Sequence, residues 1–429
     1  MIRTTKHSLK PTHIDKLVKY QEFFDECQKT AQQYLDYLWD NKIEYTIKEE
    51  TKFFDLKNDK LEVPTWVSNV YLESKIEGFK SELSGRASKC ILNQIIGIIK
   101  SATEKRRKRL YVFGKLCDEG VYNERLQQNI DKFQLVKPNL DNINFEFNSI
   151  CANFEKSDGF FNGFFELCSI GKQFGKIRLP IKFHRNNKKY ENWNQMNSFL
   201  VGRNFINIRW EKEIELKKEG SEIGCDQGKL TVLSLSDKQT TPATDKHGHS
   251  LTSIIEKLSN KRKGRKAFKK AQEHRKNFIN WSINQINLNG IKHFKLEEIV
   301  NINYGRKVSR DMSHWTNTLI RDKVRSRCEV SGVRFTLQSC TYRSQRCSAC
   351  GLVRKSNRKD KIYVCRCGFS SDADYNASCN HEQILPDIPH KLRKLNLNRK
   401  GFYWKESGFY DLKGVQIAVG PIPIINHQS

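Results

Sequence analysis

Cys365-Arg-Cys367-Gly-Phe-Ser-Ser-Asp372-Ala-Asp374-Tyr-Asn376 is the most informative segment of this chain, because it places a close pair of cysteines directly before an acidic segment. A Cys347-Ser-Ala-Cys350 turn precedes it, and the four cysteines have the spacing of ligands that surround one zinc ion tetrahedrally. Acidic residues follow at once, and an aspartate that enters a helix at such a point can hold a second, catalytic metal. The sequence therefore predicts a structural zinc site beside a site of metal-dependent chemistry.

The net charge of the chain indicates a polyanionic partner. The 76 Lys and Arg residues exceed the 48 Asp and Glu residues, which gives a net charge of +28. A field of this sign attracts nucleic acid, and solubility alone needs far less charge. No apolar run approaches the roughly 18 residues that span a bilayer, and residues 1–6 lack a signal-peptide core. We therefore expect a cytoplasmic, nucleic-acid-binding protein with no membrane partner.

The thirteen cysteines are predicted to be reduced, because their number is odd, the chain is large and no secretory signal is visible. Seven of them crowd between Cys328 and Cys379. Cys340 and Cys379 fall outside the two close pairs, although either could replace a ligand. The other six are scattered, as buried small apolar residues usually are: Cys27, Cys90, Cys117, Cys151, Cys168 and Cys225.

The first part of the chain has helical periodicity after a short extended segment at residues 1–10. A helix is predicted to begin at Pro11-Thr12, with Thr12 and Asp15 as a capping box. The helical pattern continues to about residue 130 and includes the basic cluster Lys105–Arg109, which is either a solvated face or a phosphate contact. The first helix has apolar residues at three- and four-residue steps, which predict a buried face: Ile14, Leu17, Val18, Phe24, Cys27, Ala31, Tyr34, Leu35 and Leu38.

Strand periodicity follows from about residue 140 to 215. Apolar and polar residues alternate within 177–183 and 206–211, as in half-buried antiparallel strands, so a small β-domain is expected. Residues 216–222 read as a linker. Residues 223–236 then read as two strands about a Gln-Gly turn, with Asp226 at the end of the first strand.

Residues 257–276 carry ten Lys or Arg residues and one Glu on a segment of helix-forming composition. Like charges at this density repel each other unless a polyanion compensates them, so we predict contacts with a nucleic-acid backbone. The alternative is a solvated basic helix. The same helix is predicted to continue through Phe278 to Ile286. The residues assigned to the contact are Lys261, Arg262, Lys263, Arg265 and Lys266.

Three carboxylates are predicted to form a catalytic site. The strand-like run 291–296 ends in Glu297-Glu298, Asp226 ends an earlier strand, and Asp374 begins a helix. Two Mg²⁺ ions about 3.5–4 Å apart activate water and stabilise the leaving oxygen in phosphodiester hydrolysis, and Mg²⁺ prefers oxygen ligands. The cysteines are therefore assigned to a separate, structural metal.

Four polar residues near the cysteines are assigned supporting roles. Asp372 is a candidate N-cap of the helix that Asp374 enters, or an outer partner of the metal ligands. Asn376 is a candidate for orienting Asp374 through a hydrogen bond. Arg343 and Arg346, just before the first cysteine pair, either contact the scissile strand or are ordinary surface arginines.

The motifs in this order resemble those of the transposon-encoded TnpB nucleases and their descendants, the miniature type V-F CRISPR effectors. The chain departs from the family pattern at the shortened Cys365-Arg-Cys367 pair, at Ser378 and in the tail after the last motif. The aromatic stretch 401–405 of that tail either stacks on nucleotides or packs in a core. The resemblance spans about residues 220–382 and rests on Gly224–Gly228, Lys261–Arg265, Leu296–Ile299, Tyr342–Gly351 and Asp372–Ala377.

The resemblance implies a multidomain α+β fold with a helical recognition lobe, a β-barrel wedge domain and a RuvC (ribonuclease-H-like) α/β domain that carries a zinc-binding insertion. It makes Asp226, Glu297 and Asp374 the RuvC catalytic triad. It places the four cysteines in the target-nucleic-acid-binding insertion. The implied domains are the first wedge strand at 1–10, the recognition domain at 11–135, the wedge barrel at 136–216, the first RuvC part at 217–340, the zinc insertion at 341–370, and the last RuvC part with the tail at 371–429.

The function implied by the resemblance is RNA-guided DNA cleavage at a single Mg²⁺-dependent site. Guide pairing reads the target sequence, the protein grips the heteroduplex by shape and charge, and the N-terminal half reads a short target-adjacent motif. The implied cofactors are Mg²⁺, structural Zn²⁺ and guide RNA, and the partner is target double-stranded DNA. Whether one or two copies act on each guide, and whether the gene sits in a transposon or beside a CRISPR array, is left open. Two alternatives are an RNA-guided DNA-binding transcriptional regulator without nuclease activity and a strand-transferring transposase, the latter disfavoured by the zinc and basic motifs.

Overall fold

The computed structural model describes residues 1–41, 43–47, 50–54, 68–118, 124, 127–128, 136–190, 192–299, 310–389, 392–393 and 395–417. The chain divides into two compact units, Ile2–Lys212 and Glu213–Ser429. Both units mix helices and sheets, which confirms the multidomain α+β class. None of the described helices has the length and apolar character needed to cross a membrane. The side chains of Lys105–Arg107 and Arg109 lie outside the described residues, and so does the phosphate contact considered for them.

The first unit consists of a helical part, two larger antiparallel sheets and the two-stranded antiparallel pair β2–β3. One sheet has the strand order β1-β9-β8-β4 and the other has the order β5-β6-β7. Among the described residues these two sheets do not close into one ring, so the predicted β-barrel of the wedge domain is not confirmed. The elements of this unit are β1 (Ile2–Ser8), α1 (Ile14–Asp40), β2 (Ile43–Ile47), β3 (Glu50–Phe54), α2 (Asn69–Lys75), α3 (Gly85–Asp118), β4 (Phe145–Asn148), β5 (Ala152–Lys156), β6 (Gly163–Leu167), β7 (Ile177–Ile181), β8 (Asn194–Gly202) and β9 (Phe205–Glu211).

Strand periodicity located β7 and β9 correctly, since alternate residues of both strands are buried. The start of α1 differs from the prediction. His13 is the N-cap residue and makes no side-chain capping hydrogen bond, so the capping box of Thr12 and Asp15 does not form. Ile14 and Val18 are exposed, although they were predicted to be buried, whereas Leu17 in the same turns packs against the core.

The second unit is built around a mixed four-stranded sheet with the strand order β11-β10-β12-β13. Strand β10 is antiparallel to β11 and parallel to β12, and β12 is parallel to β13. Apolar residues of the sheet and of the helices beside it form one core. The elements of this unit are β10 (Ser221–Gln227), β11 (Leu233–Leu235), α4 (Leu251–Ser259), α5 (Lys266–Asn284), β12 (Ile291–Glu298), α6 (Arg310–His314), α7 (Asn317–Val330), β13 (Arg334–Ser339), β14 (Leu352–Val353), β15 (Arg358–Lys359), β16 (Ile362–Val364), β17 (Ser370–Asp372), α8 (Ala373–Glu382), β18 (Phe402–Lys405) and β19 (Gly408–Tyr410).

The basic segment differs from the single helix predicted for residues 257–286. It forms two helices, α4 and α5, separated by residues 260–265. The first of these helices ends at Ser259 with Asn260 as its C-cap, and Gly264, with a φ of +85° that residues with a Cβ rarely adopt, lies in the turn before the second helix. The aromatic stretch of the tail forms β18, in which Phe402 and Trp404 are buried in a core with Phe409. Those two rings therefore pack rather than stack on nucleotides.

Gly224 allows helix α8 to lie directly on strand β10. A Cβ at this position would come within 2.1 Å of the Ser378 carbonyl oxygen and 2.2 Å of the Glu382 amide nitrogen. We expect Gly224→Ala to destabilise the second unit by about 1–3 kcal/mol, because overpacking against backbone atoms cannot be relieved by a side-chain rotation. Chemical denaturation would measure the change. The control is Gly97→Ala on α3, where a Cβ meets nothing within 4 Å, and an equal loss in both variants would contradict the prediction.

Candidate metal sites

The register of two parallel strands brings Asp226 and Glu297 together. Cys225 on β10 pairs with Leu296 on β12, so the next residue of each strand lies at the same level of the sheet. Both strands end one residue further on, and both carboxylates therefore project from the same sheet edge. Gln227 fixes this edge, because its side-chain amide donates a 2.8 Å hydrogen bond to the Glu297 carbonyl oxygen.

Burial and mutual repulsion raise the free energy of these two carboxylates in their ionised forms when no cation is bound. Burial, followed by the negative charges of Glu297 and Asp374, raises the pKa of Asp226 well above its ordinary value. Burial also raises the pKa of Glu297 to about 7. Neighbouring carboxylates with raised pKa values are frequent at functional sites, since a bound cation or the reaction itself offsets the repulsion.

Asp374, in the first turn of α8, lies near enough for its charge to act on Asp226, but it does not belong to the group of donor atoms within 4.8 Å of one another that Asp226 and Glu297 form with His381. Asp372 is the N-cap of this helix, as predicted, and its side chain accepts hydrogen bonds from the amides of Asp374 (2.9 Å) and Tyr375 (3.0 Å). The carboxylate of Asp374 is buried and forms ion pairs with Arg358, at 3.1 Å, and with Lys361. These two cations lie on and beside the β15–β16 hairpin, and the sequence analysis did not assign them to the site.

His381 is a fourth side chain of the site that the sequence analysis missed. Donor atoms of Asp226, Glu297 and His381 lie within 4.8 Å of one another. His381 is fully buried, which holds the pKa of its imidazole well below the usual range, and Nδ1 has no hydrogen-bond partner among the described residues. His381 follows Asp374 by seven residues on α8, so two helical turns place both side chains on one face of the helix. This spacing was the feature of the sequence that could have indicated His381.

The four predicted cysteines form a second cluster. The Sγ atoms of Cys347 and Cys367 are 3.7 Å apart, and so are those of Cys350 and Cys365. All four sulfur atoms lie within 4.8 Å of one another. Four thiolates at 2.3 Å from a tetrahedral zinc ion are about 3.8 Å apart. The shortened Cys365-Arg-Cys367 pair therefore brings both of its sulfur atoms into the cluster.

The structure corrects the predicted roles of Arg343 and Arg346. Both are buried, at 2% and 5% exposure, and neither is available at the surface for nucleic acid. Arg343 donates to the carbonyl oxygens of Asn380 and Gln383 at the end of α8, and Arg346 donates to the carbonyl oxygen of Trp404 at 2.8 Å. The last carbonyls of a helix lack intrahelical donors, and Arg343 supplies them.

Asn376 also differs from its predicted role of orienting Asp374. Its side chain accepts from the Ser348 amide at 3.0 Å and donates to the Arg346 carbonyl oxygen at 2.8 Å. One turn later, Asn380 donates to the carbonyl oxygens of Arg343 and Arg346. Helix α8 is thus tied by buried hydrogen bonds to the segment that leads into the cysteine cluster.

The predicted basic contact residues lie at the surface between α4 and α5. Arg262, Lys263, Arg265 and Lys266 are exposed, and Lys261 is half-buried. Lys266 begins α5, whose first turn contains no acidic residue. This placement leaves the positive charge available to a polyanion.

Comparison with known proteins places part of the chain in a recognised group. Residues 319–381 match the model of the Cas12f1-like TNB domain. The chain is 29% identical over 136 residues to the CRISPR-associated endodeoxyribonuclease Cas12f1 of Sulfoacidibacillus thermotolerans, covering 31% of each chain. It is 27% identical over 96 residues to the protein of the same name from Syntrophomonas palmitatica, covering 21% of this chain and 19% of the relative. The chain thus spans about a third or less of the length of these curated relatives.

A solved Cas12f1–sgRNA–target DNA complex matches with a TM-score of 0.48 and 11% identity, covering 89% of this chain and 99% of that chain. The structure defines an α+β protein that gathers buried carboxylates at one sheet edge and four thiols in a second cluster. The resemblance to the TnpB nucleases and the miniature type V-F effectors is confirmed by the matches to the TNB domain model and to the curated Cas12f1 proteins.

Proposed function

We propose that the chain is an RNA-guided DNA endonuclease that hydrolyses phosphodiester bonds at one Mg²⁺-dependent site. The observation that carries the proposal is the convergence of Asp226, Glu297 and Asp374 from two parallel strand ends and a helix start. Such an edge is what a ribonuclease-H-like assignment of the mixed sheet requires. The named activity of the curated relatives supports the same reaction class.

The donor set fits Mg²⁺. Carboxylate oxygens are the ligands that this ion prefers, and the raised pKa of Asp226 reflects burial followed by a repulsion between carboxylates, which a divalent cation relieves. Bound there, two such ions would activate water and stabilise the leaving 3′-oxygen. Asp226, Glu297 and Asp374 are the proposed ligands, with the neutral His381 at the same site. Arg358 and Lys361 place positive charge beside it, where the phosphate of a substrate strand can be held.

The cysteine cluster is the proposed structural zinc site. The sulfur separations of 3.7 Å match tetrahedral coordination, and the Phe369 amide lowers the pKa of Cys367 to about 7, which favours the thiolate. The zinc insertion proposed at residues 341–370 lies within the stretch that matches the TNB domain model. The insertion would present the target nucleic acid to the carboxylates.

Guide RNA and target double-stranded DNA are the proposed partners. The net charge of +28 and the exposed basic residues between α4 and α5 support binding to a nucleic-acid backbone. The first unit supplies the proposed recognition lobe (11–135) and wedge domain (1–10 and 136–216), which read the target-adjacent motif. The second unit supplies the proposed RuvC-like parts at 217–340 and 371–429. A cytoplasmic location follows from these partners.

The proposal is tested by purifying the chain with its co-expressed flanking RNA and sequencing that RNA. A plasmid library that carries the matching target beside randomised flanks is then incubated with Mg²⁺ or with EDTA. Mg²⁺-dependent loss of particular flanks is expected and would also identify the target-adjacent motif. Specific target binding without cutting would overturn the nuclease and favour the RNA-guided regulator.

The exposed basic residues provide a second test. We expect the triple change of Arg262, Lys263 and Lys266 to Gln to weaken nucleic-acid binding. It should also reduce the slope of log K against log salt by about 2–3, because each phosphate contact contributes about 0.7–0.9. Fluorescence anisotropy at several salt concentrations measures both effects. The matched control changes three other exposed lysines to Gln: Lys238, Lys400 and Lys413. An equal slope in the two variants would contradict the prediction.

A further inference from the structure

A third group of metal-ligating side chains lies apart from the carboxylates and the cysteines. Asp245 and His249 belong to the loop between β11 and α4, which is closed by bridge pairing of Thr244 with Ser250. His274 projects from α5. One donor atom of each of the three side chains lies within 4.8 Å of the others.

The loop holds Asp245 in an orientation suited to a ligand. Oδ1 accepts hydrogen bonds from the backbone amides of His247 (2.8 Å) and His249 (3.0 Å). The other oxygen, Oδ2, is thereby directed at the imidazole of His249, with a separation of 3.3 Å from Nδ1. Hydrogen bonds of this kind orient ligands in known metal sites.

The two imidazoles converge on the same point. The rings of His249 and His274 have centroids 4.9 Å apart and an interplanar angle of 86°, so they meet edge to face. Zinc ligands at about 2.0–2.1 Å in a tetrahedron lie about 3.3 Å apart. The observed separation between Asp245 Oδ2 and His249 Nδ1 has this value.

We propose that Asp245, His249 and His274 bind a transition-metal ion of the Zn²⁺ type, with water as the fourth ligand. Two imidazoles and a carboxylate suit Zn²⁺, Co²⁺, Ni²⁺ and Cu²⁺ better than Mg²⁺. Lys257 lies close enough to act on His274 electrostatically, and we expect two imidazoles and one carboxylate beside this positive charge to hold zinc less tightly than four thiolates do. The ion would join the loop to the helix that begins at the basic surface.

Metal counting tests the proposal without any nucleic acid. The intact chain, loaded with Zn²⁺ and freed of excess metal, is titrated with a chromophoric chelator that distinguishes a weak from a tight class of zinc. His249→Ala and His274→Ala are each expected to lose one weakly held equivalent and to keep the tight one. The control is His247→Ala, whose ring lies 6.1 Å from that of His249 and is exposed, and it is expected to keep both classes.

Two results would overturn the assignment. One is that His274→Ala keeps the weakly held zinc of the wild-type chain. The other is that His247→Ala loses the weakly held zinc as well. A second measurement needs no variant, because Zn²⁺ added to the wild-type chain should shift the imidazole NMR signals of His249 and His274. Signals unchanged in excess Zn²⁺ would leave His249 as a plain hydrogen-bond partner of Asp245.

Discussion

Asp226→Asn and Glu297→Gln will each abolish guided DNA cleavage while leaving guide RNA binding at the wild-type level. Each change removes a proposed metal ligand and keeps the shape of the side chain. The cleavage rate should fall by more than about 100-fold, since even the outer partners of metal ligands change metal affinity or activity by about 10–100-fold. Single-turnover cleavage of the identified target measures the rate, and filter binding of the guide measures the retained interaction.

The matched control is Glu298→Gln. Glu298 is the next residue on β12, so its side chain points to the opposite face of the sheet from that of Glu297, and it belongs to the same dipeptide. It should cleave at nearly the wild-type rate. Equal loss in the Glu297 and Glu298 variants would mean that the strand end, and not the particular carboxylate, limits cleavage. Full activity in Asp226→Asn would refute the proposed triad.

The second large effect is expected at the cysteine cluster. Cys347→Ser should lose one tightly bound zinc equivalent per chain and should lose cleavage as well. Structural zinc binding contributes about 10–16 kcal/mol to the folding of small zinc modules, so this segment is not expected to hold its fold without the ion. Elemental analysis measures the bound zinc. In the variant, trypsin should cut rapidly in the basic segment between Arg354 and Lys361, which includes the start of the β15–β16 hairpin.

Cys340→Ser is the control for this change. Cys340 lies seven residues before Cys347 and outside the four-sulfur cluster, so its variant should keep the zinc and resist trypsin in the hairpin. Unchanged zinc content and melting temperature in Cys347→Ser would count against the zinc proposal. Loss of zinc in both variants would instead indicate that Cys340 takes part in coordination.

The local parts of the second unit could be predicted from the sequence. Strand β12 and the end of β10 follow from strand-like runs that stop at a carboxylate, and the parallel register then brings Asp226 and Glu297 together. The N-cap at Asp372 follows from its place before a helix. The cysteine spacing indicated the thiol cluster. The strand ends, the N-cap and the cysteine spacing each depend on residues close together in the chain, whereas the pairing of Asp226 with Glu297 also needed the family resemblance.

The residues that were missed or misassigned depend on distant contacts. Lys361 and Arg358 reach Asp374 only because the β15–β16 hairpin folds back onto the start of α8. Arg343 was expected at the surface, as most arginines are, but the carbonyl oxygens at the end of α8 give its guanidinium buried acceptors. The break at residues 260–265 also escaped detection, because the helix-forming residues on both sides outweighed the single glycine, Gly264.

The hydrogen bonds of Asn376 and Asn380 have a consequence for inhibition experiments. They connect the helix that carries Asp374 to the segment leading into the thiol cluster, so loss of the tightly held ion would loosen the position of that carboxylate. Inactivation by a strong chelator should then have two phases with different reversibility. Brief exposure would be fully reversed by restoring Mg²⁺, whereas prolonged exposure would need zinc as well.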